Sequence, residues 1–256
     1  MNLAYFMNVK NNIEFDSVPP NPEATIESSR SLGYDLNIAI ADIIDNSISA
    51  EAKNIWIHYE WLNNQTYFSI IDDGNGMLEN QLIEAMRLGT ISPKNKRDKK
   101  DLGRFGLGLK TASFSQCRVL TVKSKKDSLD SLRKWDLNHV SKVNDWQLLR
   151  TADNFSQKIL DKKLQSLQSG TVVLWQDLDR LITLEDEEEK NKDYFYEKIA
   201  DLRKYLSMIY HRYLSGSNAI KIFLTPRLTA FFFASSISIP CPIFAVNVIT
   251  SQSYFS

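Results

Sequence analysis

The stretch DLNIAIADIIDNSISAEA, from Asp35 to Ala52, carries two different stripes of side chains at helical spacing. One stripe is apolar and predicts a helix face packed on a core; its members are Leu36, Ile40, Ile43, Ile44 and Ile48. The other follows the positions i, i+3, i+4 and i+7 on a second face, with Asp42, Asp45, Asn46 and Ser49. From this helix alone, the polar stripe has two interpretations, a solvated face or a ligand-binding face.

Two glycine-bearing stretches follow this helix. IIDDGNGM, from Ile70 to Met77, comes after an alternating segment, Thr66 to Ile71, that predicts a strand. LGRFGLGLKTAS runs from Leu102 to Ser113. A single G-x-G is weak evidence because glycine is the usual residue of any strained turn. An acidic-amide helix followed by Asp-x-Gly-x-Gly and then by Gly-x-x-Gly-x-Gly-x-Lys is far more specific, and it favours the ligand-binding interpretation.

At these motifs the chain resembles the GHKL superfamily of ATPases, which includes gyrase, MutL-type mismatch-repair proteins, heat-shock chaperones, histidine kinases and the MORC proteins. The helix matches the N-box, Asp72 to Gly76 matches the adenine motif, and Gly103 to Lys110 matches the lid-to-phosphate motif. SGTVVLW, from Ser169 to Trp175, matches the fourth motif. The resemblance covers roughly residues 20 to 175. It implies an α+β fold, a Bergerat-type two-layer sandwich of helices on a mixed β-sheet.

The composition is that of a globular protein without a global charge. The chain has 256 residues, of which 43% are hydrophobic and 24% charged. Its 31 basic and 31 acidic residues give a formal net charge of +0, so nucleic-acid binding would require a local patch. Cys117 and Cys241 form neither a metal motif nor a disulfide framework. MNLAYFMNVKNN lacks the features of a signal peptide, so we expect a cytoplasmic protein.

We predict three regions along the chain. Residues 1–30 form an N-terminal arm, residues 31–180 the ATP-binding domain, and residues 190–256 a partial transducer-like region, since MORC-like and MutL-like relatives start a second domain there. The acidic run from Leu184 to Asp193 marks the junction. The last stretch, Leu228 to Thr250, is apolar, but its serines, asparagine and two prolines argue against a membrane span. We interpret it as an atypical tail, belonging to an incomplete domain or an altered C-terminus, whose apolar surface needs a partner.

Local patterns predict the remaining elements. Helices are expected at 26–30, 78–88 and 199–213, and strands at 54–61, 118–124, 132–137, 146–149, 170–175 and 218–224, with the helices stacked on one face of the sheet. The polar segment GTISPKNKRDKKD begins at Gly89 and holds five cations. It is either a solvated loop or a mobile lid whose cations sense the phosphates or nucleic acid.

The resemblance assigns roles to the residues of the motifs. Asp72 accepts a hydrogen bond from the adenine amino group, a contact that separates ATP from GTP, and Gly74, Gly76, Met77 and Thr171 complete the adenine end. Asn46 offers a neutral oxygen to Mg²⁺, which prefers hard oxygen ligands. The phosphates are expected at a glycine-rich helix start, formed by Gly103, Arg104, Phe105, Gly106, Leu107, Gly108, Leu109 and Lys110. Lys110 either adds a cation there or lies on the surface.

The base for hydrolysis departs from the family pattern. Relatives carry Glu four residues before the N-box asparagine, whereas this chain has Asp42. Asp is one methylene shorter, so its carboxylate falls roughly 1 to 1.5 Å short, and a misplacement of about 1 Å can cost about a hundredfold in rate. Asp45 is a second candidate that should point partly away, and Ser49 stands where many relatives have an acidic residue. ATP and Mg²⁺ binding with slow hydrolysis is therefore the expectation.

Several functional hypotheses follow from the resemblance. The phosphate motif is most similar to that of MORC-type and related bacterial ATPases, which implies a homodimer formed on ATP binding, acting as a switch or clamp in DNA transactions or phage defence. The alternative is a non-hydrolysing ATP-sensing module that signals to a partner protein. A histidine kinase is disfavoured because no His precedes His58 to serve as phospho-acceptor. A fold whose motifs have decayed and bind no nucleotide is the remaining alternative, and no membrane partner is expected.

Overall fold

A computed structural model of the chain describes residues 16, 18–31, 33–62, 65–88, 108–182, 187–214 and 219–226, together with the backbone of residues 248 and 249. The predicted lid, five residues of the phosphate motif (103–107) and most of the apolar tail lie outside the described residues.

Helices and strands are interspersed along the described part of the chain. The helices are α1 (Pro22–Ser31), α2 (Leu36–Ser49), α3 (Glu79–Met86), α4 (Gly108–Phe114), α5 (Leu137–Val143), α6 (Asn154–Leu164) and α7 (Glu188–Ile209). The strands are β1 (Asn54–Glu60), β2 (Tyr67–Asp72), β3 (Val119–Lys126), β4 (Leu129–Asp136), β5 (Gly170–Gln176), β6 (Lys221–Pro226) and β7 (Val248–Ile249). Of the helices that the structure describes, none is both long enough and apolar enough to cross a bilayer.

The strands form one mixed sheet in the order β4-β3-β5-β2-β1-β6-β7. The five strands from β4 to β1 pair antiparallel with their neighbours, and β6 then pairs parallel with β1. Every residue of β2 in the middle of the sheet is buried, as in strands that are covered on both faces. This arrangement of helices on a mixed sheet confirms the predicted α+β fold class. The segment at 146–149 contributes only a single bridge, between Lys134 and Leu149.

The larger core lies between one face of the sheet and the helices α1 to α5 and α7. The apolar stripe of α2 packs against it as predicted, with Leu36, Ile40, Ile43 and Ile44 buried and Ile48 partly buried at the edge. Asp35 caps the helix by accepting a hydrogen bond from the Asn37 N–H at 2.8 Å. The helix that carries the candidate site residues is therefore fixed by both burial and capping.

Helix α6 departs from the predicted one-sided arrangement because it packs on the opposite face of the sheet. Its residues Ile159, Leu160 and Leu164 form a second core with side chains from β2 and β5. Those strands are apolar on both sides, since Ile71 and Val172 point to α6 while their neighbours point to the larger core. Leaving this second apolar face in water would cost free energy, so the middle of the sheet requires a helix on each side.

The region predicted as a second domain begins within the same packed unit as the rest. Helix α7 starts at Glu188, earlier than predicted, and buries Phe195, Leu202 and Leu206 in the core that also holds α2. Strand β6 then extends the sheet beside β1. The described residues show no break in the core near residue 190, and the partial transducer-like region over residues 190–256 stays a prediction.

Arg30 fixes α1, the last part of the predicted N-terminal arm, to the end of α4. This residue is 2% exposed. Its guanidinium donates hydrogen bonds to the carbonyl oxygens of Phe114 at 2.7 Å and Cys117 at 2.8 Å, and it pairs with the Asp179 carboxylate at 2.5 Å. A cation suits the C-terminal end of a helix, where backbone carbonyls lack helical partners.

We predict that Arg30→Met destabilises the protein strongly, because it leaves two carbonyls without their donor and removes the nearer of the two guanidinium groups that pair with Asp179. The expected loss is about 3–5 kcal/mol in the free energy of unfolding, measured by urea denaturation. Arg87→Ala is the control, since Arg87 pairs with Glu84 on the surface at 3.0 Å with 60% of its side chain exposed, and its removal should cost no more than about 1 kcal/mol. Similar small losses for both variants would contradict the anchoring role of Arg30.

Candidate functional site

The candidate site lies where α2 passes the end of β2 and the start of α4, and its most buried carboxyl group is that of Asp72. This last residue of β2 is 6% exposed. The Ser47 hydroxyl donates to its Oδ2 at 3.0 Å, and the Gly74 N–H donates to its Oδ1 at 2.9 Å. Burial raises the pKa of Asp72 to about 6, although hydrogen bonds from Gly74, Ser47 and Thr171 act against that rise. At neutral pH the group is therefore an ionised, buried hydrogen-bond acceptor.

The neighbouring carboxylate, Asp73, has a structural role and shows the opposite shift. It accepts hydrogen bonds from the backbone N–H groups of Lys53 and Asn54, each at 2.8 Å, and from the Asn54 side chain at 2.6 Å. Partial burial works against ionisation, but these hydrogen bonds outweigh it and hold the pKa of Asp73 below its ordinary value. Asp73 thereby ties the start of β1 to the end of β2.

Gly74 and Gly76 are required by the packing of the protein itself. A Cβ on Gly74 would lie 2.7 Å from the Ala50 carbonyl oxygen at the end of α2. Gly76 has a φ of +60°, and a Cβ there would overlap the Lys125 carbonyl oxygen at the end of β3. In the structure these glycines let the turn pass between two protein elements.

Ser124 connects the remaining residues predicted for the adenine end. Its hydroxyl oxygen accepts from the Met77 N–H at 2.8 Å and lies 2.9 Å from the Thr171 hydroxyl. Thr171 is also the partner of Asp72 in the pairing of β2 with β5. The tertiary structure therefore brings Asp72, Met77 and Thr171 together at one edge of the sheet.

The polar stripe of α2 is partly buried and partly exposed. Asp42 and Asp45 are partly covered, whereas Asn46 and Ser49 are exposed. Burial, and then the nearby charge of Asp45, raise the pKa of Asp42 above its ordinary value. Asp45 accepts a hydrogen bond from the Tyr210 hydroxyl at 2.7 Å. That contact is consistent with the expectation that Asp45 points partly away from the site.

Three residues of the phosphate motif fall within the described part of the chain. Gly108 begins α4 and lies beside Asp42: a Cβ added to Gly108 would be 3.6 Å from Asp42 Oδ2. Leu109 is partly buried against the larger core. Residues 103–107 of the motif, from Gly103 to Leu107, lie outside the described residues.

Lys110 does not occupy the surface position that was one of its two predicted locations. It is 2% exposed, and its ammonium donates a hydrogen bond to the Ala85 carbonyl oxygen at 2.8 Å, in the last turn of α3. Burial lowers the pKa of Lys110 to about 8.

The arrangement places a buried hydrogen-bond acceptor near one end of the site and the start of α4 near the other. Helix α2 contacts Asp72 through Ser47 and lies against Gly108 at Asp42. Those two points of the helix are five residues and so roughly 7.5 Å apart along its axis.

The sequence did not predict two serines of the site. Ser47 was missed, although a serine among the residues of the apolar stripe was a signal. Ser124 was also missed, and the sequence offers no signal for it.

Comparisons with known proteins agree with these motifs. Residues 34–171, more than half of the chain, match the model of the family described as histidine kinase-, DNA gyrase B-, and HSP90-like ATPase. The ATPase morc-1 of Caenorhabditis elegans is 32% identical over 91 residues, which are 36% of this chain and 10% of that protein. The DNA mismatch repair protein MutL of Dictyoglomus turgidum is 31% identical over 112 residues, 42% of this chain and 19% of that protein. The chain thus spans only a small part of the length of either relative.

We predict that Asp72→Asn stabilises the protein above pH 6. The folded-state pKa of Asp72, about 6, exceeds the ordinary value of 3.8, so wild-type stability falls as pH rises between these values and stays reduced above them. The variant lacks this loss, and its amide can donate to Ser47 while Ser47 turns to the Ile43 carbonyl oxygen, 3.2 Å away. Denaturation at several pH values should show an advantage that grows from pH 4 to 6 and reaches up to about 3 kcal/mol.

Asp73→Asn is the matched control with the opposite sign. The ionised carboxylate of Asp73 is stabilised in the folded state by hydrogen bonds from Lys53 and Asn54. In the variant, the NH₂ group of the new amide would face one of these donors, so that hydrogen bond would be lost. This variant should lose stability at pH 7. If both variants shift stability in the same direction, the contrasting environments of the two carboxylates are not as described.

Proposed function

Because the chain belongs to the family of histidine kinase-, DNA gyrase B- and HSP90-like ATPases, we propose that it binds Mg·ATP and hydrolyses it slowly between α2, the end of β2 and the start of α4. The adenine amino group would donate to Asp72, and the phosphates would lie towards Asp42 and Gly108. The glycines at positions 103, 106 and 108 would leave room for the phosphates to approach the backbone.

The observation that carries this proposal is the buried, ionised carboxylate of Asp72. Each of its oxygens accepts a hydrogen bond from the protein, yet a carboxylate has about four lone-pair sites, so acceptor capacity remains for a ligand. An amino group would satisfy that capacity, whereas the carbonyl of guanine would face the carboxylate without a proton between them. Asp72 would therefore provide both affinity and selectivity for adenine.

The residues of α2 fit a magnesium ion that is held mainly by the nucleotide. Asn46 is exposed beside two partly buried carboxylates, and such oxygens are the ligands that Mg²⁺ prefers. The described residues contain no cluster of three or more His, Cys, Asp or Glu side chains that could hold a metal by themselves. Asn46 would thus supply one protein oxygen, and the bound ion would neutralise charge on the phosphates.

Asp42 is the proposed general base for the attacking water. It lies beside Gly108, where we place the phosphates, and its raised pKa makes it a better proton acceptor than an exposed aspartate. The shorter side chain, compared with the Glu that relatives carry, would place it about 1 Å from the best position and would account for slow turnover.

The proposal extends to a switch. ATP would favour a closed, dimeric state through contacts that exist only in that state, with residues 89–107 as the lid. The similarity to a MORC protein and to MutL supports a role in DNA transactions, and the resemblance to MORC-like bacterial proteins extends it to phage defence. A partner for the apolar tail belongs to the same proposal.

A second candidate function is ATP sensing without hydrolysis, with the signal passed to a partner protein. Aspartate in place of the usual glutamate at position 42 favours it. Measurements of Mg·ATP affinity and steady-state turnover on the same sample, at several protein concentrations, separate the two functions. Turnover that rises more than linearly with concentration supports the dimeric ATPase, and tight binding without turnover supports the sensor. A chain that binds no Mg·ATP refutes both.

We predict that Asp72→Asn weakens ATP binding by at least about tenfold, because a charge-assisted hydrogen bond to the amino group is lost. Titration calorimetry with ATP and GTP would measure this loss. Wild-type protein should prefer ATP over GTP and the variant should show little preference. Unchanged ATP affinity in a folded variant would remove Asp72 from the site.

We predict that Asp42→Asn separates binding from turnover. The amide is nearly isosteric but cannot take a proton, so turnover should fall by at least about a hundredfold while ATP affinity changes by less than about threefold. Asp42→Glu is the matched variant, which restores the usual residue and should keep or raise turnover. An Asp42→Asn protein with wild-type turnover would show that another group is the base.

A further inference from the structure

Tyr210 contacts the candidate site from a distant part of the chain. It is the residue directly after α7, it is 3% exposed, and its ring belongs to the larger core. Its hydroxyl donates to Asp45 Oδ1 at 2.7 Å and lies 3.0 Å from the Ala41 carbonyl oxygen. One hydroxyl proton serves both acceptors, and the charged carboxylate is the closer of the two, as expected for the stronger acceptor.

The two acceptors lie on either side of Asp42 along α2. Ala41 precedes Asp42 directly, and Asp45 follows it by three residues, which is nearly one helical turn. Because the Tyr210 hydroxyl contacts both the Ala41 carbonyl and the Asp45 carboxylate, it restrains this turn of the helix. The restrained turn is the one that lies against Gly108.

We propose that Tyr210 is a positioning residue that holds Asp45, and with it the turn of α2 that carries Asp42, in place for ATP hydrolysis. The inference rests on the proposed function, since it concerns the base of that reaction. It also connects the site to the end of α7, and thus to the part of the chain that leads into β6. A change at that end of α7 would alter turnover at the site through a hydrogen bond and not through contact with ATP.

A purely structural role is the competing explanation, in which the tyrosine ring fills the core and its hydroxyl adds nothing specific. Tyr210→Phe separates the two because it keeps the ring and removes only the hydroxyl. Tyr213→Phe is the matched control: Tyr213 packs on Tyr210 with ring centroids 6.1 Å apart, but it is 43% exposed.

The first measurement needs no nucleotide. Amide hydrogen exchange should be about fivefold faster or more in the second half of α2 for Tyr210→Phe, because the partly buried carboxylate of Asp45 loses its donor. Tyr213→Phe should exchange like the wild type. In an Asp45→Ala background, Tyr210→Phe should have a smaller effect than in the wild type, because only the contact with the Ala41 carbonyl remains to be lost. Unchanged exchange in Tyr210→Phe, or full additivity of the two substitutions, would overturn the proposal.

The second measurement is the kinetics of ATP hydrolysis on the same proteins. Tyr210→Phe should lower kcat by up to about a hundredfold while ATP affinity changes by less than about threefold and the melting temperature falls by no more than about 4 °C. Equal losses of ATP affinity and kcat in Tyr210→Phe would indicate general disruption and would overturn the positioning role. An Asp45→Ala variant with no turnover would also overturn it, since Asp45 itself would then be the base. If the wild-type chain does not hydrolyse ATP, the proposed hydrolysis fails and so does the positioning of a base, whereas the exchange data still decide whether Tyr210 restrains α2.

Discussion

The buried carboxylate of Asp72 is the constraint on which the rest of the candidate site depends. A charged group that leaves water needs donors from its surroundings, and Asp72 obtains them from Ser47 on α2 and from Gly74 in the turn after β2. These two hydrogen bonds set the strand end, the turn and the helix relative to each other. Because α2 also carries Asp42 and Asn46, the acceptor at one end of the site orients the residues at the other.

Helix α2 combines its tasks by using different sides. Its apolar stripe packs on the sheet, Asp42 lies against the start of α4, Ser47 bonds to Asp72, and Asp45 accepts from Tyr210. The helical period places Asp42 and Asp45 together on a face away from the apolar stripe, whereas Ser47 falls within that stripe. One helix thus both stabilises the fold through its apolar face and fixes the positions of the site residues through its polar contacts.

Several interpretations of the sequence were incomplete because their reasons lie in distant parts of the chain. The sequence singled out the glycines of the adenine motif, but only the tertiary structure shows that Ala50 and Lys125 leave no room for a Cβ at Gly74 and Gly76. The ammonium group of Lys110 donates a hydrogen bond to the Ala85 carbonyl oxygen, and the residue is not at the surface. Helix α6 was missed, and it packs on the face of the sheet opposite the larger core.

The sequence by itself determined the α+β class, the main helices and strands, and the positions of Asp42, Asn46 and Asp72, because periodicity and motif spacing act within one element or between neighbours. Only the tertiary structure decided which groups form hydrogen bonds with the polar side chains of the site. The Ser47 hydroxyl meets a carboxylate from β2, and the Tyr210 hydroxyl meets Asp45 across 165 residues of chain. Such contacts depend on how elements pack around a shared core, and no local pattern encodes the partner of a buried polar group.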